Sequence, residues 1–155
     1  MYSHEPKNYD CPLCHIANNE PIKGESQEST VIYRTDLVTV FIAGRWWRSA
    51  PGHVIIIPNA HHENIYELPD DIGHAIFEES KKVAIALKEV YKCDGVSTRQ
   101  HNEPAGNQDV WHLHLHVYPR TEGDELYVRH NDTYWPALSE KEPYAKKLRE
   151  YFNSK

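Results

Sequence analysis

The chain has 155 residues, 39% of them hydrophobic and 26% charged, with a formal net charge of −6. That length suits one domain with its own core and is too short for two ordinary ones. The acidic balance, with no local basic patch, excludes a long polyanion such as nucleic acid as the partner, and no apolar run nears the roughly 20 residues that cross a bilayer.

The N-terminal Met1-Tyr2-Ser3-His4-Glu5-Pro6 has neither the basic region nor the apolar stretch of a secretory signal, so a cytoplasmic location is the expectation. Cys11 and Cys14, two residues apart, suit metal ligation better than a disulfide framework in a reducing compartment. Residues 30–43 (TVIYRTDLVTVFIA) are rich in β-branched and aromatic side chains, with Arg34-Thr35-Asp36 interrupting them as a turn would, which predicts a hairpin. A polar loop over residues 44–52 follows, then His53-Val54-Ile55-Ile56-Ile57, an apolar run closed by Pro58 that reads as a buried strand. From about Asp70 to Tyr91, Ile72, Ile76, Val83, Leu87 and Val90 form one apolar stripe at helical spacing, with Glu78, Glu79, Lys81, Lys82 and Lys88 lying elsewhere. Cys93, just after this helix, reads as a packing residue.

Residues 95–101 (GVSTRQH) and 112–118 (HLHLHVY) read as strands of a second hairpin, separated by the turn-forming residues 102–107. Pro143 sits where a short terminal helix over residues 143–152 would begin. Strands, a long helix, strands and a short helix make an α+β fold with a mostly antiparallel sheet.

In a strand, residues two apart point the same way, so His112, His114 and His116 line one face while Leu113, Leu115 and Val117 enter the core. Three readings of the histidines compete. They are buried, hydrogen-bonded structural residues; or an H-x-H pair chelates a metal; or an imidazole does phosphorus chemistry. The metal reading wants a further ligand such as a nearby glutamate, and the first carboxylate after His116 is Glu122. For phosphorus chemistry, a neutral imidazole offers a nucleophilic lone pair at physiological pH, and flanking histidines can hold its tautomer and bind phosphate oxygens.

HLHLHVYPR resembles the signature of the histidine-triad (HIT) family. Gly52-His53-Val54-Ile55-Ile56-Ile57-Pro58, with His61 three residues after the proline, is similar to the family's upstream strand. Residues 102–108 keep its asparagine and glutamine, and Pro119-Arg120 and Gly123-Asp124 resemble the continuation in bacterial members and diadenosine-polyphosphate hydrolases. The resemblance implies a HIT-like fold over residues 1–126, including the Cys-x-x-Cys segment, with 127–155 a C-terminal extension packed on the same domain. It implies a nucleotide-phosphate hydrolase of dinucleoside polyphosphates, nucleoside phosphoramidates or similar substrates, in which His114 attacks the α-phosphorus and forms a nucleotidyl-imidazole intermediate, with a nucleotide-binding protein of weak turnover as the competing reading. His116 would contact phosphate and assist the leaving group, Asn102 and Gln108 would make polar contacts to the substrate's phosphate or to the catalytic histidine, and His53 would support the hydrogen-bond network. A homodimer, a small nucleotide substrate and no organic cofactor follow from the same likeness. A histidine at position 116 favours hydrolysis over the transfer done by related uridylyltransferases, which resemble H-P-H with glutamine there.

Relatives that carry a Cys-x-x-Cys pair complete a zinc site with the histidine after the I-P strand and the first triad histidine, which implies Cys11, Cys14, His61 and His112 as ligands to structural zinc. His62 is an alternative ligand, and a pair of ordinary reduced cysteines is the plainer reading. Two positions depart from the family. Ala43-Gly44 stands where many members carry a ribose-binding aspartate, followed by a loop bearing Arg45, Trp46, Trp47 and Arg48. The tryptophans would stack on a base or be buried at a dimer interface, and the arginines would bind phosphate. Asp109 brings a negative charge near the expected phosphate unless it points away or pairs with an arginine.

Overall fold

A computed structural model describes residues 2–129 and 131–155. Its central sheet has five antiparallel strands in the order β1-β2-β4-β6-β5: β1 is Val31–Arg34, β2 Val38–Ile42, β4 Val54–Pro58, β5 Gly95–Gln100 and β6 Leu115–Arg120. A two-residue strand β3, Trp46–Trp47, pairs with β7, Thr133–Tyr134. The helices are α1, Pro12–Ala17; α2, Asp70–Tyr91; and α3, Leu138–Asn153.

Both expected hairpins form. β1 and β2 turn at residues 35–37, where Thr35 Oγ1 accepts from the amide of Val38 at 3.0 Å. β2 and β4 are buried along their whole length, as unbroken β-branched runs should be when both faces are covered. α2 spans the predicted 70–91 and buries Ile72, Ile76, Val83 and Leu87. Glu79, assigned from the sequence to the polar side, is instead buried. It accepts from Tyr33 Oη at 2.6 Å and pairs with Lys82 at 2.9 Å, which compensates its lost hydration.

Three boundaries differ from expectation. β6 begins at Leu115, so His112 and His114 precede the ladder; the amide of Leu113 bonds the carbonyl of His62 at 2.6 Å, holding the chain beside β4 without a regular pairing. The loop over 44–52 contains β3, because a partner strand arrives from residue 133 onward. The terminal helix begins at Leu138 and runs 16 residues, so it is not short, and Pro143 lies inside its second turn. The ring costs one backbone hydrogen bond there, and burial of Ala145 and Leu148 offsets that loss.

α2 and α3 pack against the sheet in one core that includes Val117, Leu113, Ala145 and Leu148. On the opposite face Ala50, Tyr118 and Leu126 form a smaller cluster with Trp47 against it. β6, paired on both edges, presents His116 toward that second cluster, stacked on Tyr118.

Candidate active site and metal centre

The alternation read from the sequence sorts the side chains: Leu113 and Val117 are in the core, and His114, His116 and Tyr118 share the other face. His114 is 4% exposed, and its Nδ1–H donates to the carbonyl of His112 at 2.8 Å. That bond assigns the tautomer: the proton is on Nδ1, and Nε2 keeps its lone pair with no protein partner among the described residues. Burial lowers the pKa of His114, so the neutral form prevails near pH 7.

His116 lies beside it, the ring centroids 5.0 Å apart. Its Nδ1 is 3.2 Å from Nε2 of His53. Burial depresses both imidazoles, His53 to about 3 and His116 well below the ordinary range, so both are neutral and share one proton. Tyr118 stacks on both rings, at 4.5 and 5.4 Å, and Trp47 lies edge-on to His53 at 6.0 Å.

Gln108 is buried; its Nε2 donates to the carbonyls of Glu63 and Val110, at 2.6 and 3.0 Å, and its Oε1 accepts from the amide of Glu103 at 2.8 Å. Asn102 Oδ1 accepts from the amide of Ile65 at 2.9 Å, and its Nδ2 donates to Gln100 at 3.1 Å. Both amides thus tie the 101–108 turn to residues 63–65. His101, not singled out from the sequence, donates from Nδ1 to the carbonyl of Gly106 at 2.5 Å and lies close enough to oppose protonation of His114 and His116.

The 44–52 loop answers neither sequence reading of Trp46. Its indole is fully buried, donates to the carbonyl of Ala43 at 2.8 Å and packs against Tyr134 and Tyr144. It is core, covered by chain 90 residues away and therefore available neither to a base nor to a partner. Arg45 donates to Thr133 Oγ1 at 2.9 Å and faces Asp109 at 4.0 Å, so Asp109 does have an arginine opposite it. Trp135, 76% exposed, lies against Gly44.

A second cluster lies on the N-terminal side. Cys11 caps α1 and its sulfur accepts from the amide of Cys14 at 3.4 Å, which turns both sulfurs the same way. The ligand atoms of Cys11, Cys14, His61 and His112 all lie within 4.8 Å of one another, and these residues could hold a metal ion. His112 Nδ1 is 3.4 Å from each sulfur, and His61 Nδ1 is 3.2 Å from that of Cys14. A tetrahedral ion with bonds of ~2.3 Å to sulfur and ~2.0 Å to nitrogen has S···N edges of about 3.5 Å, so the spacing fits. Both histidines donate through their other nitrogen, His112 to the carbonyl of Pro58 at 3.0 Å and His61 to Glu5 at 2.9 Å, which aims the Nδ1 lone pairs at the centre. His62 is outside this group.

The description "HIT domain" matches residues 24–123. A HIT-like protein of Methanocaldococcus jannaschii is 32% identical over 120 residues, which cover 77% of this chain and 85% of that one. Adenosine 5'-monophosphoramidase of Saccharomyces cerevisiae is 31% identical over 90 residues, 57% of this chain and 51% of that protein. Among solved structures, a HIT-like protein involved in cell-cycle regulation from Bartonella henselae superposes with a TM-score of 0.77 at 27% identity, covering 95% of this chain and 98% of that one. A zinc-bound histidine triad family protein from Mycobacterium smegmatis superposes at 0.75 and 22% identity, covering 94% of each chain, which bears on the fold. With the family match spanning most of its length and His114 and His116 side by side at the inner strand, this chain belongs to the HIT family.

Proposed function

We propose that the protein is a nucleotide-phosphate hydrolase that acts at the α-phosphorus of a nucleotidyl substrate through a covalent adduct on His114. The supporting observation is the His114 tautomer: Nδ1–H is held by the carbonyl of His112, and Nε2 is left as a nucleophile. In the first step the Nε2 lone pair forms a bond to phosphorus as the bond to the departing atom breaks, and that atom leaves with its electron pair. His116, neutral beside His114, would contact a phosphoryl oxygen as charge builds there, donating from Nε2 in the tautomer whose Nδ1 accepts from His53. In the second step water attacks phosphorus, the P–N pair returns to Nε2, and a nucleoside monophosphate and a proton are released. Asn102 and Gln108 would contact substrate only by exchanging bonds they make within the protein. The yeast phosphoramidase among its relatives gives the reading a precedent.

Incubation with adenosine 5'-phosphoramidate and with diadenosine triphosphate tests the reading. AMP release by the wild type should fall by roughly three or more orders of magnitude in His114→Ala and about 10²- to 10³-fold in His116→Ala. Tight nucleotide binding with no AMP release would identify a binding protein instead.

We propose zinc as the ion of the Cys11, Cys14, His61 and His112 group. Four protein ligands leave no open position, so the ion would brace the N-terminal segment and the approach to β6 without entering the reaction. Burial and the adjacent Cys11 push the Cys14 thiol up to about 12, so a cation between the sulfurs is what would make them thiolates. Elemental analysis should return about one zinc per chain and little in Cys14→Ser. A homodimer working in the cytoplasm completes the proposal; Phe77 and Ile85, exposed on α2, are apolar surface for such a contact, and a monomeric mass by light scattering would remove it.

A further inference from the structure

Arg99 on β5 is the direct cross-strand partner of His116 on β6. Paired residues project to the same side of a sheet, so Arg99 shares the surface of the catalytic histidines. It is half-buried, its guanidinium carbon 5.8 Å from the centre of the Trp47 ring and 5.6 Å from that of Tyr127. The other cations here are balanced. Arg120 is clasped by Asp124 at 2.6 and 2.7 Å, and Arg45 faces Asp109. Arg99 has no ion pair and no hydrogen bond among the described residues, and the Trp47 indole N–H beside it is buried without a partner. A fixed charge left unmatched beside neutral histidines is an anion site by composition.

Resting on the hydrolase reading above, we propose that Arg99 is a specificity-determining residue that binds the phosphate of the departing group, so that the site favours nucleotidyl substrates with an anionic, phosphate-bearing leaving group over amides. An amine must gain a proton as its bond to phosphorus breaks. A phosphate departs with the electron pair as an anion and needs only a cation to receive it. Burial leaves the His53 and His116 pair neutral and poor at supplying a proton, and Arg99 is near enough to oppose protonation of His116 further. What this surface has to offer a leaving group is positive charge.

The test compares wild type, Arg99→Met and Arg99→Lys on two substrates that share the adenylyl half: diadenosine triphosphate and adenosine 5'-phosphoramidate. Arg99→Met should lower kcat/KM for the anhydride by about tenfold or more and leave the amide within about threefold, with Arg99→Lys between. Equal losses on both substrates, or none on the anhydride, overturn the assignment. If the wild type cleaves neither, the hydrolase reading is what fails, and Arg99 is then judged by titration with ADP. Binding about tenfold weaker in Arg99→Met keeps the anion site, and equal affinity removes it.

Discussion

Buried histidines set the acid limit of this protein. His53 and His116 are neutral when folded, with pKa values pushed below the ordinary ~6.5 of an unfolded chain. Between those values the unfolded state binds more protons, so stability is greatest above about pH 6.5 and falls as pH drops through the window toward the folded pKa values. Each imidazole contributes up to about 1.4 kcal/mol per pH unit there. Urea midpoints should therefore fall from pH 7 to pH 5, and His53→Gln should flatten that slope; a midpoint that stays level or rises on acidification contradicts the buried neutral pair. The tautomer of His114, on which the proposed chemistry rests, depends on one backbone carbonyl two residues earlier. Alternation of histidines signals the shared face, but not which nitrogen is free.

At the scale of elements, the turn before β4 is held closely against α3. Gly52 has φ +71°, and a Cβ there would sit 2.1 Å from Cδ1 of Tyr144 on α3. Tyr144 cannot easily swing aside, because its ring packs edge-on to Trp46 at 5.1 Å and to Tyr91 at 5.5 Å. Gly52→Ala should cost about 2–4 kcal/mol by denaturant titration. Adding Tyr144→Ala should cost less than the sum of the single changes, since the clash is then gone and only the backbone strain remains. Full additivity would show that the two sites do not touch. The hairpins and α2 were legible in the sequence because their signals are local: strand runs broken by turn residues, and a stripe repeating at helical spacing. β3, β7 and the start of α3 were not. Trp46 becomes a strand residue only because Tyr134 is opposite it, and Pro143 reads locally as a helix start whereas its place inside α3 is offset by burial of Ala145 and Leu148.

For the molecule as a whole, the segment after residue 126 is part of the core. It supplies β7, α3 and the ring that covers Trp46, and it orients Arg45 through Thr133. A chain ending at residue 126 would expose Trp46 and the sheet beneath α3, and should lack cooperative unfolding by circular dichroism; a sharp transition near that of the full chain would show the tail to be dispensable. The Cys11, Cys14, His61 and His112 group joins the N-terminal segment to the chain after β4 and before β6, so removing a bound ion would loosen several elements together. Chelation of the purified protein should lower Tm by several degrees or more, with no comparable shift for a Cys14→Ser variant treated likewise.

The sequence by itself determined which chemistry is available. Histidines at alternate positions, a two-residue cysteine spacing and an asparagine-to-glutamine turn are facts of covalent order, and strand geometry turns the first of them into a shared face. The tertiary structure decided how those groups are spent. It divided the triad between the Cys11, Cys14, His61 and His112 group and the face shared by His114 and His116, committed Asn102 and Gln108 to bonds within the protein, sank Trp46 into the core, and set Arg99 beside His116. Each of these depends on a partner far away in sequence, and a contact of that kind leaves no periodic or local trace in the chain.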